Sequence, residues 1–384
     1  MYLDYYSQAE WAKIINFATD RETPFLIVIL ERIRNKFLLF SNNFPNAKIY
    51  YAVKASPGIE ILTALRDLGA YFDVASIYEL DRVLKLNIPP NRISYGNTIK
   101  KSQHIQYAYQ QGVRLFTSDC EADIRHIAKV APGSKIFLRL IIDAVTSDSD
   151  WPLSRKFGCQ PRMLIELALL AKELGLQPYG VSFHVGSQQR EISAYDAAIA
   201  QVVLIFEQLE KQGLKLQSIN MGGGFPADYI TKANTLPTYA EEIYRYLEAH
   251  FGAQFPEIYL EPGRGLAGDA GVLVSEVILI AKKSRTDLRR WVYTDIGIFN
   301  GLMEAIDESI KYPLHTDKTG PTGEVILAGP TCDSLDILYE NFKYQLPLSL
   351  EIGDKLYWLS TGAYTASYSS VEFNGFPPLT TYYI

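Results

Sequence analysis

Lys54 closes the run Lys48-Ile49-Tyr50-Tyr51-Ala52-Val53-Lys54, which is apolar, aromatic and β-branched and reads as a buried strand with an amine at its C-terminal end. An ammonium placed there is costly unless it is paired or gives up its proton. A partly desolvated lysine supplies neutral amine, the form that condenses with an aldehyde. Three more short hydrophobic strands end in residues able to do chemistry. These are His184-Val185-Gly186-Ser187, Gly222-Gly223-Gly224-Phe225-Pro226 and Glu261-Pro262-Gly263-Arg264.

Glycines at Gly222, Gly223, Gly224 and Gly263 let the main chain approach phosphate oxygens and aim N–H groups at them, with Ser187 and Arg264 adding side-chain donors. Glu261 is placed to face a pyridine nitrogen and keep it protonated, so that the ring accepts electrons. His184 can stack on the ring face. Amine, phosphate turns, carboxylate and imidazole together describe a site for pyridoxal 5'-phosphate (PLP), a cofactor that carries the hard chemistry while the protein orients it. Each feature alone has a plainer reading: an exposed strand-end lysine, a tight turn, a hydrogen-bonded core histidine, a surface glutamate. Their joint placement at strand ends favours the cofactor site. Cys332-Asp333, in the loop Gly329-Pro330-Thr331-Cys332-Asp333-Ser334, pairs a thiol with a carboxylate and can serve as proton donor and amine anchor. His104, His126, His250 and His315 fall in helical or loop contexts and are given no role.

The elements that must position these residues alternate. Strand-like runs cover Lys48–Lys54, Tyr71–Ser76, Ile93–Gly96, Leu115–Asp119, Lys135–Ile142, Gly180–Ser187, Ser218–Pro226 and Glu257–Arg264, with amphipathic helical stretches between most of them. Strand–helix alternation predicts a parallel sheet, and eight such units predict an α/β fold of the (β/α)8 TIM barrel type, with its site at the C-terminal strand ends. The barrel is expected over 26–268. After about residue 270 strands follow one another with little helix, so 1–25 and 269–384 are expected to form a second, mostly β domain. The polar stretch Ile142–Arg155 is expected to be a mobile loop over the barrel mouth.

At 384 residues the chain is long enough for two cores. With 48% hydrophobic and 21% charged residues and a net charge of −6, it has no electrostatic footprint for nucleic acid or an anionic membrane. No apolar run reaches membrane-spanning length. The first twenty residues lack a secretory pattern, and three dispersed cysteines argue against a disulfide framework or a zinc cluster, so a cytoplasmic enzyme without a metal is expected.

The ordered motifs resemble the fold-type III, alanine-racemase-like PLP-dependent decarboxylases, and within them the ornithine decarboxylase branch of bacterial ornithine/lysine type. The resemblance rests on Tyr51-Ala52-Val53-Lys54, Phe72-Asp73-Val74-Ala75-Ser76, the three strand ends above, Gly329 to Asp336, Gly362-Ala363-Tyr364-Thr365 and Phe373-Asn374-Gly375-Phe376. It implies that Lys54 bonds the cofactor aldehyde and that Asp73 and Arg139 are polar neighbours of the cofactor and Lys54. It further implies that His184 stacks, Glu261 meets the ring nitrogen, and Ser187, Gly224, Gly263, Arg264 and Tyr364 form the phosphate and cofactor shell.

The same resemblance implies a homodimer in which Cys332 and Asp333 come from the other subunit, with Lys156 and Asp336 bridging the interface. Substrate contacts are expected from Asp333, Tyr312 and Phe373, with Glu304 or Asp307 near the pocket. Pro313 follows Tyr312 where eukaryotic-type members have Asp, which matches the bacterial branch and leaves chain-length preference open. The expected reaction is decarboxylation of L-ornithine to putrescine, with L-lysine to cadaverine alongside it, in polyamine biosynthesis. Alternatives are a related decarboxylase of meso-diaminopimelate or carboxynorspermidine, and a non-catalytic regulator.

Overall fold

The structure is a computed structural model that describes residues 2–142, 149–151 and 156–384. Contacts divide it into two compact units, one of residues 33–226 and 234–266, the other of 1–32, 227–233 and 267–384.

In the first unit eight described strands close into a barrel: β1 Ala47–Ala52, β2 Tyr71–Val74, β3 Ile93–Tyr95, β4 Leu115–Ser118, β5 Lys135–Arg139, β6 Gln177–Ser182, β7 Ser218–Asn220 and β8 Glu257–Leu260. All neighbours are parallel, and the ring is completed by β8 on β1 (Tyr259 opposite Lys48, Leu260 opposite Ile49). Parallel strands with helices outside are buried on both faces, which is why they read as continuous apolar runs. The helices between them begin on recognisable signals. Ser76 accepts from the Glu79 N–H at the start of Ile77–Leu84, and Pro161 opens Pro161–Glu173.

Alternation along the strands aims every second residue into the barrel. Tyr50, Phe137, Tyr179 and Tyr259 pack there as one aromatic cluster. Toward the N-terminal end Tyr179 Oη donates to Glu257 Oε2 (2.6 Å), and Lys48 pairs with Glu257. Glu257, Tyr259 and Glu261 alternate along the same strand line, so the tyrosine layer separates a partly exposed ion pair from the carboxylate at the rim.

The second unit is the expected mostly β one. Its sheet runs Leu314–His315, Lys355–Leu359, Gly271–Ala281, Arg290–Thr294, Thr322–Ala328, Ile337–Pro347, and Gly271–Ala281 also pairs with Phe25–Val28. Phe25–Val28, which the expected boundary at residue 26 divides between the two domains, is a strand of this sheet, antiparallel to Gly271–Ala281 and parallel to Thr380–Tyr383. The helix Gln8–Ala18, started by a Ser7–Glu10 capping box, packs Trp11, Ile14 and Ala18 against Phe25, Ile27, Val272 and Tyr357.

The loop expected over 142–155 falls mostly outside the described residues. Within it Ser149–Trp151 pairs antiparallel with Ser187–Gln189.

Candidate active site

Lys54 lies in a short 3-10 turn, Val53–Ala55, immediately after β1, with Val53 and Ala55 buried and its own side chain exposed. The amine thus stands at the barrel's C-terminal rim, clear of the apolar strand that the sequence seemed to bury it in. On the neighbouring strand β2, Asp73 is 7% exposed and its Oδ1 accepts from Ser94 Oγ at 2.7 Å. Burial, and then the nearby Glu261 charge, hold its carboxyl well above the usual carboxylate range, with Lys54 and Ser94 acting the other way. Gly96 has no room for a side chain because a Cβ would collide with this carboxyl. Arg139, at the end of β5, is half-buried, and its burial is opposed by Glu261, Asp73 and Asp119.

The turn after β7 is built from glycines for steric reasons. Gly222 has φ of 64° and Gly224 of 101°, and a Cβ on Gly222 would meet the Phe183 carbonyl. A Cβ on Gly223 would stand 3.2 Å from His184 Nε2, so the imidazole lies directly against this turn. The turn is braced from behind: Tyr195 Oη donates to the Gly223 carbonyl (2.9 Å), and Gln189 N–H donates to that of Gly224 (2.9 Å). The Gly186 N–H donates to His184 Nδ1 at 3.0 Å, which makes that nitrogen an acceptor. Burial, reinforced by Arg139 and Lys54, keeps the ring well below its usual pKa and hence neutral.

Glu261 follows β8. Its Oε1 accepts from Asn220 Nδ2 at 2.5 Å, and its backbone N–H donates to the Gly222 carbonyl at 2.7 Å. Arg264, 3% exposed, donates through Nε and Nη2 to Ser187 Oγ, each at 3.2 Å. Gly263 is buried beside it.

The barrel unit therefore brings together Lys54, Asp73, Arg139, His184, Ser187, the three glycines, Glu261, Gly263 and Arg264. The remaining expected residues belong to the β unit. Cys332 is exposed, and its N–H donates to Asn374 Oδ1 (2.8 Å) next to Phe373, whose ring centroid lies 4.7 Å from that of Phe299 with the planes tilted by 37°. Asp333 Oδ1 accepts from Leu335 N–H (2.9 Å). Asp307 is exposed with φ of 51°, Glu304 is 3% exposed, and Tyr364 is half-buried with φ of 55°. Tyr312 is wholly buried among Tyr229, Tyr339 and Tyr344, a core position within that unit. Asp336 takes N–H donors from Ile298 and Thr331 and the Thr331 hydroxyl inside its own unit, so a bridge to Lys156 gains no support from this arrangement.

Asn220, Tyr195 and Ser94 were missed in the sequence. Asn220 had a signal: it is a polar residue ending an apolar strand two positions before the glycine turn. Tyr195 had none, since a helical tyrosine reads as core.

This donor set fits a phosphorylated pyridine aldehyde. A guanidinium and hydroxyl suit a phosphate, an acceptor carboxylate suits a protonated ring nitrogen, a neutral imidazole suits a ring face, and an accessible amine suits the aldehyde. Among the described residues no cluster of His, Cys, Asp and Glu is arranged to hold a metal, and no helix is long and apolar enough to cross a membrane. Fold and site together define a PLP-binding barrel. The family model for pyridoxal-dependent decarboxylases, pyridoxal binding domain, matches residues 30–268. A lysine/ornithine decarboxylase of Selenomonas ruminantium is 32% identical over 92% of this chain and 88% of its own length. Antizyme inhibitor 2 of Xenopus laevis is 33% identical over 95% of this chain and 82% of its own. A solved lysine/ornithine decarboxylase of Vibrio vulnificus, in complexes with cadaverine and with putrescine, superimposes with a TM-score of 0.88 at 28% identity, over 98% of this chain and 99% of that one. The chain belongs to the pyridoxal-dependent decarboxylases of the ornithine/lysine branch, and PLP is its cofactor.

Proposed function

We propose that this protein decarboxylates L-ornithine to putrescine, accepts L-lysine as a second substrate, and works as a cytoplasmic homodimer in polyamine synthesis. The observation that carries the reading is the intact set Lys54, His184, Glu261 and Arg264–Ser187 on one barrel rim. A regulator that had lost the cofactor would be free to lose these groups. A racemase is disfavoured by Glu261.

Bound PLP supplies the sink for the electrons released when CO2 leaves Cα. Lys54 offers the amine that holds the cofactor aldehyde and later frees the product. Glu261 holds the ring nitrogen's proton, Arg264 and Ser187 grip the phosphate, and neutral His184 packs on the ring face without competing for charge. Cys332, supplied by the second subunit, returns a proton to Cα, and Asp333 beside it receives the distal amine. Positioning and fixed charge supply most of the rate.

The test is CO2 release and amine product from PLP-loaded protein given L-ornithine, L-lysine, meso-diaminopimelate and L-arginine separately. Putrescine formed fastest, with slower cadaverine, is expected. CO2 from diaminopimelate alone would overturn the substrate, and bound cofactor with no CO2 from any of them would overturn the basic amino-acid reading. The antizyme inhibitor among the relatives makes absence of bound cofactor the outcome that would favour a regulator.

A further inference from the structure

Asn220 ends β7 and is 2% exposed. Its side chain makes two hydrogen bonds of opposite polarity. Gly222 N–H donates to Oδ1 at 2.9 Å, which settles which end of the amide is oxygen. Nδ2 therefore faces Glu261 and donates to Oε1 at 2.5 Å, while Glu261 N–H donates to the Gly222 carbonyl at 2.7 Å. These three bonds close a ring that joins the carboxylate to the first glycine of the phosphate turn.

We propose that Asn220 is a positioning residue for Glu261: by donating to Oε1 it fixes the carboxylate plane and leaves Oε2 as the acceptor for the cofactor's ring N–H. The inference rests on the reading of Glu261 as the pyridine partner. Only an amide does both jobs in this space. Aspartate would still accept from Gly222 N–H, but it offers Glu261 a hydrogen only when it takes up a proton that the two carboxylates then share. Asn220→Asp thus keeps size and turn and makes the donor depend on that extra proton, and Asn220→Ala removes the donor outright.

Wild type, Asn220→Asp and Asn220→Ala are each loaded with cofactor carrying 15N in the ring, and the ring-nitrogen chemical shift, cofactor Kd, kcat and KM for the best substrate are measured. The wild-type nitrogen is expected to be protonated and the Asn220→Ala nitrogen displaced toward the unprotonated value, with weaker cofactor binding because the turn also loses its acceptor. The loss of a hydrogen bond to a charged group predicts kcat in Asn220→Ala lower by about tenfold to a hundredfold, with KM changed less than about threefold. In Asn220→Asp, which serves if Asn220→Ala does not fold, kcat is expected to fall as pH rises and the carboxylate pair gives up its shared proton, a step the wild type lacks. A protonated nitrogen with near-wild-type kcat in Asn220→Ala, or no such step in Asn220→Asp, would overturn the role of Asn220 while leaving Glu261 in place. An unprotonated nitrogen already in the wild type would overturn the reading of Glu261, and this proposal with it.

Discussion

Two nitrogens of the Arg264 guanidinium converge on a single acceptor, Ser187 Oγ, at 3.2 Å each. The two residues follow different barrel strands, so this pair ties the turn after β8 to the segment after β6. A buried guanidinium is a planar fork of fixed donors, the geometry that suits a phosphate.

Replacing Arg264 by Lys removes the planar fork while keeping the charge. PLP affinity is expected to fall by about tenfold or more, and Ser187→Ala to give a smaller loss in the same direction. Equilibrium dialysis of the two variants measures both. Unchanged affinity in Arg264→Lys would place the phosphate elsewhere.

Asp73 gives a stability prediction with a definite sign. Its folded carboxyl ionises well above the ordinary 3.8, because of burial and then Glu261. As pH rises from 3.8 the unfolded chain ionises first, so the folded state loses stability until the folded group also ionises, and the deficit is complete above that point. Asp73→Asn keeps the acceptor for Ser94 and removes the deficit. Cofactor-free variant is expected to melt higher than wild type at pH 8, by about 2 °C or more, with the gain shrinking toward pH 4. Equal melting temperatures at pH 8 would show that the carboxylate is already compensated.

His184 has the opposite sense. Its ring is held well below the ordinary 6.5 by burial, Arg139 and Lys54. When pH falls below 6.5 the unfolded chain binds a proton that the folded chain refuses, and stability declines until the folded ring is protonated too. Urea midpoints of cofactor-free protein should therefore drop between about pH 6.5 and pH 5, and drop less steeply in His184→Asn. Parallel profiles would mean that another group dominates this range.

Lys100 is a structural counterpart on the same rim. Its side chain is fully buried, and Nζ donates to the carbonyls of Asn97 (2.9 Å) and Thr117 (2.8 Å) and to Asp123 Oδ2 (2.8 Å). One ammonium thereby clips together the segment after β3, strand β4 and the following helix, and satisfies all three of its hydrogens. Lys100→Met leaves a buried carboxylate without its partner, a loss of about 3–5 kcal/mol. Denaturant unfolding measures it, and the double variant with Asp123→Leu should recover part of the loss. A single variant within about 1 kcal/mol of wild type would mean that water replaces the ammonium.

The barrel was legible because each of its strands is a short apolar run, buried on both sides, that stops at a chemically distinctive residue. The run ending at Pro226 shows where that reading overshot: the strand itself is only Ser218–Asn220. Its ladder stops because Gly222 and Gly224 turn their backbone to positive φ, and the residues that do chemistry sit in that turn. Lys54 overshot in the same way. The expected boundary at residue 26 cuts through Phe25–Val28, because four apolar residues carry no mark of which sheet they join and their antiparallel partner is far along the chain. Asn220 depends on a contact with Glu261 across two strands, which linear spacing does not display. Phe373 was singled out only through resemblance and Cys332 only as a thiol beside a carboxylate, since no local pattern ties a loop residue to a barrel lysine.

The strand Phe25–Val28 has a consequence for how the polypeptide is made. It is sandwiched between Gly271–Ala281 and Thr380–Tyr383, so during vectorial synthesis both of its edges stay unsatisfied while more than half of the chain emerges from the ribosome. Throughout that interval Phe25-Leu26-Ile27-Val28 is a sticky apolar edge with nothing to pair with. Nascent-chain quality should therefore hinge on chaperone shielding of these four residues, and a ribosome that stalls before the last strand releases an aggregation-prone product even when its barrel segment is complete.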